Sequence, residues 1–238
     1  MNTLEFYQNN SLEDWKQLLE PIGYHYHFGF PGKTDNIFKN TLYNYVYPFI
    51  PNNTSVLDCG CGWGGSIKML QEDKQCDVLG VTNNDRQFNF IKNNVIKEDL
   101  NYFFPHRSFD TALLIESFSH IKNQNLLLKH LSLTCKNILF IAHLSRLPSA
   151  VFDKDWLMHC NTIPTILNQL DSVGYKLRYF KDLGTDHIRP SFKYWKSKLD
   201  IIKPSNGQLA LLDKLCDQDP VEFAKYTGLF LIHAESSL

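Results

Sequence analysis

Ser55-Val56-Leu57-Asp58-Cys59-Gly60-Cys61-Gly62-Trp63-Gly64-Gly65-Ser66 is the stretch that decides the fold of this 238-residue chain. An apolar strand runs into a glycine-rich turn, and a helix is expected to follow. Because glycine has no Cβ, Gly60 and Gly62 can adopt positive φ and let a ligand approach bare backbone. The turn ends at a helix N-terminus, where free N–H groups attract negative charge. The stretch therefore predicts a cradle for a nucleotide-like cofactor.

The spacing of this loop, D-x-G-x-G-x-G-G, differs from the dinucleotide pattern G-x-G-x-x-G. It resembles motif I of class I S-adenosylmethionine (SAM) methyltransferases. The resemblance implies SAM as cofactor, S-adenosylhomocysteine (SAH) as product, and a loop that holds the amino acid end of SAM. Asp58 is expected to orient the loop or to meet the SAM amino group. The expected cofactor residues of the loop are Asp58, Gly60, Cys61, Gly62 and Trp63.

A second polar strand end follows about twenty residues later, where a ribose is expected. Many nucleotide-binding folds carry an acid there, but this chain has Thr82 and Asn83. The segment resembles one methyltransferase subgroup with the motif G-[VI]-[TC]-x-x-x-x-Q, whose Gln reaches the ribose. That resemblance assigns the ribose to Gln87. The alternative is a simple helix cap at Asn83 or Asn84.

Glu98 and Asp99 precede the segment that leads into the next strand. Their interval to Ser108-Phe109-Asp110 matches that of the adenine-binding acid in the same superfamily. Either carboxylate is a candidate partner of the adenine amino group. A solvated pair of turn charges is the alternative.

The following strand ends in Ile115-Glu116-Ser117-Phe118-Ser119-His120. Ligands in open parallel sheets lie at the carboxyl ends of strands, so Glu116 and His120 are predicted beside the reacting methyl group. An imidazole of ordinary pKa suits a general base. We therefore predict His120 as the base, with Glu116 positioning it or the acceptor, and we also expect Glu116 among the residues that bind SAM. If the acceptor carries no proton, His120 only positions it.

These motifs together make residues 55–144 similar to the small-molecule methyltransferases. That group contains sterol and tocopherol C-methyltransferases, cyclopropane fatty acid synthases and plant alkaloid N-methyltransferases. Several members read E-x-x-E-H where this chain has Glu116…Ser119-His120. The second carboxylate is thus replaced by Ser119, which argues against a mechanism that needs two.

An aromatic segment before the first strand is predicted to fold over SAM as a lid. Aromatic faces attract a sulfonium, by ~0.5–2 kcal/mol for a good contact. His25 and His27 also have the spacing of a metal pair, but no third ligand is evident, so no metal is predicted. Simple packing of the segment against the body is the alternative. The candidate lid residues are Tyr24, His25, Tyr26, His27 and Phe28.

The alternation of strands and helices from residue 55 onward predicts an α/β fold. Its core is a Rossmann-like, seven-stranded, mostly parallel sheet with helices on both faces. Strands are predicted at 55–59, 77–82, 94–97, 110–115, 137–143, 175–180 and 228–234, and helices at 64–72, 85–92, 123–134 and 163–172. Residues 1–50 are predicted as an N-terminal lid that begins with a helix, and 51–238 as the SAM-binding core. Substrate-side inserts are predicted at 145–162 and 185–227, with a helical stretch at 190–226.

Composition narrows the possible partners. A net charge of -1 argues against a nucleic-acid surface. Met1–Glu5 lack the features of a signal peptide, no apolar run is long enough to span a bilayer, and scattered cysteines favour a reducing compartment. We therefore expect a cytoplasmic enzyme; its oligomeric state is open.

The expected function is methyl transfer from SAM to an oxygen or nitrogen nucleophile of a small or peptide-like metabolite, as in secondary metabolism. An aromatic content of 13% also permits C-methylation of a prenyl or sterol-like alkene. A catalytically silent SAM-fold subunit that binds a partner is the alternative from another class.

Overall fold

The computed structural model describes residues 10–237, so the N-terminal pentapeptide lies outside the described range. Two helices precede the sheet: α1 (Leu12–Leu19) and α2 (Ile37–Tyr45). Ser11 and Asp14 form a reciprocal capping box at the start of α1. Asn36 caps α2 by accepting hydrogen bonds from two backbone N–H groups.

A seven-stranded sheet forms the centre of the molecule, as predicted. In chain order the strands are β1 (Ser55–Cys59), β2 (Asp77–Thr82), β3 (Val95–Lys97), β4 (Phe109–Ile115), β5 (Cys135–Ser145), β6 (Val151–Asp153), β7 (Met158–Cys160), β8 (Tyr175–Asp182) and β9 (Thr227–Ser236). The sheet order is β3-β2-β1-β4-β5-β9-β8, while β6 and β7 form a separate hairpin. Only β9 runs antiparallel to its neighbours in the large sheet.

Helices cover both faces of this sheet, which confirms the predicted fold class. They are α3 (Gly65–Lys74), α4 (Asp85–Ile91), α5 (Gln124–Ser132), α6 (Ile163–Ser172), α7 (Ile188–Ile202), α8 (Gly207–Cys216) and α9 (Pro220–Phe223). Alternate side chains of the central strands enter two separate apolar cores. Val56 belongs to the core that contains α1, α3 and α7, and Leu57 to the core that contains α5 and α6.

Two elements were not predicted from the sequence. One is α2, whose Asn and Tyr residues have low helix propensity; the helix depends on its Asn36 cap and on burial of Phe38 and Leu42. The other is the β6–β7 hairpin inside the insert at 145–162. Its strands are only three residues long, and the Asp153 carboxylate accepts the N–H groups of Asp155 and Trp156 in the turn between them.

The sheet order places a cleft at the carboxyl ends of the parallel strands. The chain goes from β1 outward to β2 and β3, then returns to β4 on the other side of β1. Ligands of open α/β sheets bind where the strand order reverses in this way. The six cysteines, all within the described range, are free thiols. Within residues 10–237, no helix combines the length and apolar character that crossing a bilayer requires.

Candidate active site

A cavity of about 640 Å³ lies at the carboxyl ends of β1, β2, β4 and β5. Its size is typical of a small-molecule site. The predicted site residues that line it are Gly60, Gly62, Thr82, Asn83, Gln87, Glu98, Asp99, Glu116, His120, Tyr26, His27 and Phe28. One continuous space therefore joins the glycine loop, the end of the fourth strand and the aromatic segment.

The glycine loop leaves bare backbone at the edge of this cavity. Gly60 has φ +83°, and a Cβ there would lie 2.4 Å from Cβ of Ser117. Gly62 has φ +55° with no atom within 4 Å of the position that a Cβ would take. The first glycine is therefore required by the fold, while the second leaves open space beside the main chain. This is the cradle that the sequence predicted.

Asp58 lies beneath the loop rather than in the cavity. Its carboxylate accepts a hydrogen bond from Ser66 in the first turn of α3, so it ties the two ends of the loop together. Burial raises the pKa of Asp58 to about 6, although the Ser66 hydrogen bond acts in the opposite direction. Of the two roles expected for Asp58, the geometry supports orientation of the loop.

Cys61 and Trp63 were predicted to contact the cofactor, but their side chains do not line the cavity. The Cys61 side chain lies under β2, where its Sγ would be 2.8 Å from a Cβ on Gly80. The Trp63 ring is buried between Trp15 and Phe90, with centroid distances of 5.6 and 5.5 Å. Both side chains support the loop from the core.

At the end of β2, the Thr82 hydroxyl donates a hydrogen bond of 2.7 Å to the side-chain carbonyl of Gln87. The cap of the following helix is Asn84, whose side chain accepts from the N–H groups of Arg86 and Gln87. The capping role considered for Asn83 thus belongs to its neighbour, and Asn83 lines the cavity.

Glu98 and Asp99 lie at the rim of the same cavity, after β3. The Asp99 carboxylate already accepts hydrogen bonds of 2.9 Å from the backbone and side-chain N–H groups of Asn101. No such side-chain bond engages Glu98 within residues 10–237. Both carboxylates remain candidates for the adenine amino group.

Glu116 occupies the tip of β4 in an unusual backbone conformation. Its φ of +53° is uncommon for a residue with a Cβ. One carboxylate oxygen accepts the Phe28 N–H at 2.7 Å, and the other lies 3.7 Å from Nε2 of His143. Burial acts to raise the pKa of Glu116, but the neighbouring His143, with His27 and the Phe28 N–H, holds it below its ordinary value. The site therefore contains a carboxylate that stays ionised.

His120 lies in a single 3₁₀ turn, Phe118–His120, directly after Glu116. Burial and the neighbouring His143 lower the pKa of His120 to about 4, although Glu116 and main-chain groups at Trp156 and Leu157 act in the opposite direction. The ring is neutral at physiological pH. The assignment of His120 as base relied on an ordinary pKa, which this buried ring does not have.

The aromatic segment predicted as a lid, and called the lid below, lines the cavity through Tyr26, His27 and Phe28. Closure of this segment over SAM stays a prediction. Tyr24 and His25, also predicted for the lid, contact the body instead. The Tyr24 ring packs on Phe90 at 4.7 Å, and Nδ1 of His25 lies 2.8 Å from the position that a Cβ on Gly65 would take. Among residues 10–237 no cluster of three or more His, Cys, Asp or Glu has the arrangement of a metal site.

Several cavity residues were missed from the sequence. His143 was taken as the last residue of an apolar strand, although the carboxyl-end rule that selected Glu116 applies equally to it. The insert at 185–227 supplies Trp195, Gln208 and Phe223. No spacing in the sequence links these three, because they come from separate helices that meet only in the folded chain.

The residues present fit SAM as a ligand. The open backbone at Gly62 suits a close approach, Gln87 lies at the position of a ribose, and the rim carboxylates suit an adenine amino group. Beyond them, Glu116 lines the cavity together with the rings of Phe28, Trp195 and Phe223. The Phe28 centroid is 5.1 Å from that of Trp195 and 5.7 Å from that of Phe223. This half of the cavity suits an acceptor with apolar surface and a positive charge.

Comparison with known proteins agrees with this geometry. The family described as methionine biosynthesis protein MetW matches residues 41–143. (S)-tetrahydroprotoberberine N-methyltransferase of Eschscholzia californica is 30% identical over 181 residues, covering 63% of this chain and 50% of that protein. (S)-coclaurine N-methyltransferase of Thalictrum flavum subsp. glaucum is 26% identical over 208 residues, covering 74% and 56%. The chain spans about half the length of these curated relatives.

A solved structure extends the likeness over nearly the whole chain. Coclaurine N-methyltransferase bound to N-methylheliamine and SAH superposes with a TM-score of 0.76 at 19% identity, covering 96% of this chain and 80% of that one. The chain has the fold of the class I SAM-dependent methyltransferases. The resemblance to the small-molecule group, which includes the plant alkaloid N-methyltransferases, is confirmed.

Proposed function

We propose that this protein transfers a methyl group from SAM to a nitrogen or oxygen nucleophile of a small, natural-product-type metabolite, and that an amine nitrogen is the preferred acceptor. One observation carries the proposal: a single cavity is lined by the glycine loop, by the ionised carboxylate of Glu116 and by aromatic rings. The names of the relatives, which are N-methyltransferases, point the same way.

SAM would supply an electrophilic methyl group on a sulfonium. The chain's contribution is to bind and orient it. The residues proposed to do so are Gly60, Gly62, Thr82, Asn83, Gln87, Glu98 and Asp99, with Asp58 as the internal support of the loop. The rings of the lid limit the entry of water, so that electrostatic contacts in the cavity are less screened.

Glu116 is proposed to bind the acceptor amine in its ammonium form. The carboxylate offers an opposite charge in a half of the cavity where solvent is scarce, and the rings of Phe28 and Trp195 add cation–π attraction. His120, being neutral, is proposed to position the acceptor by accepting a hydrogen bond. Methyl transfer is an in-line displacement, so orientation within a few tenths of an ångström is the main catalytic contribution.

Two other functions make different demands on the site. C-methylation of a prenyl or sterol-like alkene needs a pocket that shields a carbocation, and the rings that line this cavity are compatible with it. A silent partner-binding subunit needs no cradle at Gly60. The identity of the labelled product separates C-methylation from amine methylation. A silent subunit would give no labelled product.

The test is incubation of the full chain with methyl-labelled SAM and three acceptor panels: secondary and tertiary alkylamines that carry an aryl group, phenols, and prenyl alkenes. We expect label in the amine panel, and Glu116→Gln should lower kcat/KM for amines by at least ten-fold, which corresponds to about 1.4 kcal/mol of lost transition-state binding. Glu72→Gln, on the exposed face of α3, is the matched control.

Label only in phenols or alkenes would overturn the choice of acceptor. Tight SAM binding without label in any panel would support the silent subunit.

A further inference from the structure

We propose that His143, held by Glu116, accepts the proton that the acceptor nitrogen must lose before it can be methylated. The inference rests on the proposed function and adds a catalytic residue to it. An ammonium has no free lone pair, so an amine bound in its charged form becomes nucleophilic only after a proton leaves.

The sheet brings His143 and Glu116 to the same place. Strands β4 and β5 are parallel neighbours in which Ile115 pairs with Ile141, and the Glu116 N–H donates to the Ile141 carbonyl at 2.7 Å. The two side chains therefore emerge at the same edge, with Nε2 of His143 at 3.7 Å from the carboxylate. The His143 ring lines the cavity although it is only 6% exposed.

The departure from the E-x-x-E-H pattern has a structural counterpart at His143. Ser119 stands where the second Glu is found in several related enzymes, and its hydroxyl donates a hydrogen bond of 2.9 Å to the backbone carbonyl of His143. Ser119 is fully buried, so it holds the main chain of β5 and does not face a ligand. One carboxylate remains, and an imidazole accompanies it.

His120 is less suited to take the proton. Its environment favours the neutral ring, with a pKa of about 4, whereas the carboxylate of Glu116 faces His143 directly. A carboxylate beside an imidazole orients the ring toward its substrate, as in other base–orienter pairs. The titratable groups that face this pair are His120 from the 3₁₀ turn, His187 from the start of α7 and His27 from the lid.

The proton passes to Nδ1 of His143. With Nε2–H directed at Glu116, Nδ1 carries the lone pair of the ring, and within residues 10–237 no hydrogen bond engages Nδ1. The bound ammonium gives its proton to Nδ1. The freed nitrogen lone pair then forms the N–CH₃ bond, while the C–S bond breaks and its electron pair passes to sulfur, giving SAH. The imidazolium afterwards returns its proton to water.

The test is the pH dependence of kcat/KM for one secondary amine, measured in the wild type and in His143→Asn. At pH 7 the variant should lose at least ten-fold, within the range for removal of a general base. Above the pKa of the amine the substrate arrives neutral, so at pH 10 the variant should recover to within about three-fold of the wild type. The exposed His106→Asn is the matched control and should follow the wild type at both pH values.

A purely structural role of His143 predicts the same loss at both pH values, and that result would overturn the proposal. Alkaline recovery in His120→Asn, with none in His143→Asn, would move the proton to His120 and overturn it equally. A loss of less than two-fold at pH 7 would do the same.

A second readout does not depend on turnover. Carboxyl NMR of the unliganded protein should show that His143→Asn raises the pKa of Glu116, because the imidazole lowers it in the wild type. An unchanged Glu116 titration would contradict the pairing. Failure of the wild type to methylate any amine would refute the proposed function, while the NMR result would still report whether the two side chains are coupled.

Discussion

At the scale of single residues, backbone conformation decides what the site can hold. Glu116 turns out of β4 through a positive φ, a conformation that costs a non-glycine residue about 1 kcal/mol or more. Its contacts with the lid N–H and with His143 compensate for that cost. Gly60 also has a positive φ, which costs glycine no strain. A side chain is excluded at Gly60 because Ser117 occupies the position that a Cβ would take.

Gly60→Ala should therefore weaken SAM binding by at least ten-fold, about 1.4 kcal/mol, because the added Cβ either displaces Ser117 or shifts the loop. Titration calorimetry with SAM measures the change. Gly184→Ala is the matched control, since Gly184 also has positive φ (+66°) but open space around it. Undiminished affinity in a folded Gly60→Ala protein would be incompatible with the loop as the SAM cradle.

Residues at the tip of β4 were predictable because a clear apolar strand ends just before them. His143 was not, because the apolar run of β5 continues past it to Ser145 and makes the imidazole look like part of a strand. A strand end is visible in sequence only where the hydrophobic pattern stops. A polar residue that reaches the cleft from within a strand gives no such signal.

At the scale of elements, the lid is held by hydrogen bonds from its own backbone. The Gly29 N–H donates to the Ser191 hydroxyl of α7 at 2.9 Å, and the Phe28 carbonyl accepts from the Thr41 hydroxyl of α2 at 2.8 Å. The backbone of the lid is not part of a helix or a sheet, so buried side-chain hydroxyls satisfy its polar groups instead. These contacts also fix the Phe28 N–H that meets Glu116.

Ser191→Ala should leave the Gly29 N–H buried without its partner, at a cost of about 1–3 kcal/mol of folding stability. Phe28, which precedes Gly29, donates its N–H to Glu116. We therefore also expect a higher KM for the acceptor, with little change in SAM affinity. Urea unfolding and acceptor kinetics measure the two effects. Ser197→Ala, on the exposed side of the same helix, should change neither; equal effects in both variants would argue against a specific lid contact.

Most strands of the large sheet were predictable because they are apolar runs bounded by turn residues. The lid, α2 and the hairpin were not, because tertiary contacts rather than local propensity form them. Ile37–Tyr45 contains two Asn and two Tyr and is helical chiefly because Phe38 and Leu42 are buried. The substrate side of the cavity is built from such segments, and for this reason it was the least predictable part.

At the scale of the whole molecule, burial of several ionisable groups links folding to pH. Burial lowers the pKa of His120 and of His187 to about 4, from the ordinary histidine value of 6.5. The unfolded chain therefore binds more protons between pH 6.5 and 4, and stability falls as the pH falls through that window. Asp58 acts oppositely: its pKa of about 6 in the folded state favours folding as the pH falls from 6 to 3.8.

His187→Phe should reduce the loss of stability between pH 6.5 and 4, because one such histidine contributes up to about 3 kcal/mol of it. Urea midpoints at pH 7 and pH 4.5 give the slope, and the slope rather than the absolute midpoint is the readout. The exposed His106→Gln should keep the wild-type slope. A His187→Phe protein with the wild-type slope would show that this ring does not carry the pH dependence.

The reversed direction of β9 has a practical consequence. Its first residues pair with the cleft end of β5, and its last residues, Glu235 and Ser236, lie at the opposite edge of the sheet. Ten residues of strand span about 30 Å. A fluorophore or affinity handle joined after Ser237 would thus stand well clear of the cleft, whereas one placed near Asn10, which accepts the N–H of Leu209 beside the cavity residue Gln208, would lie closer to it.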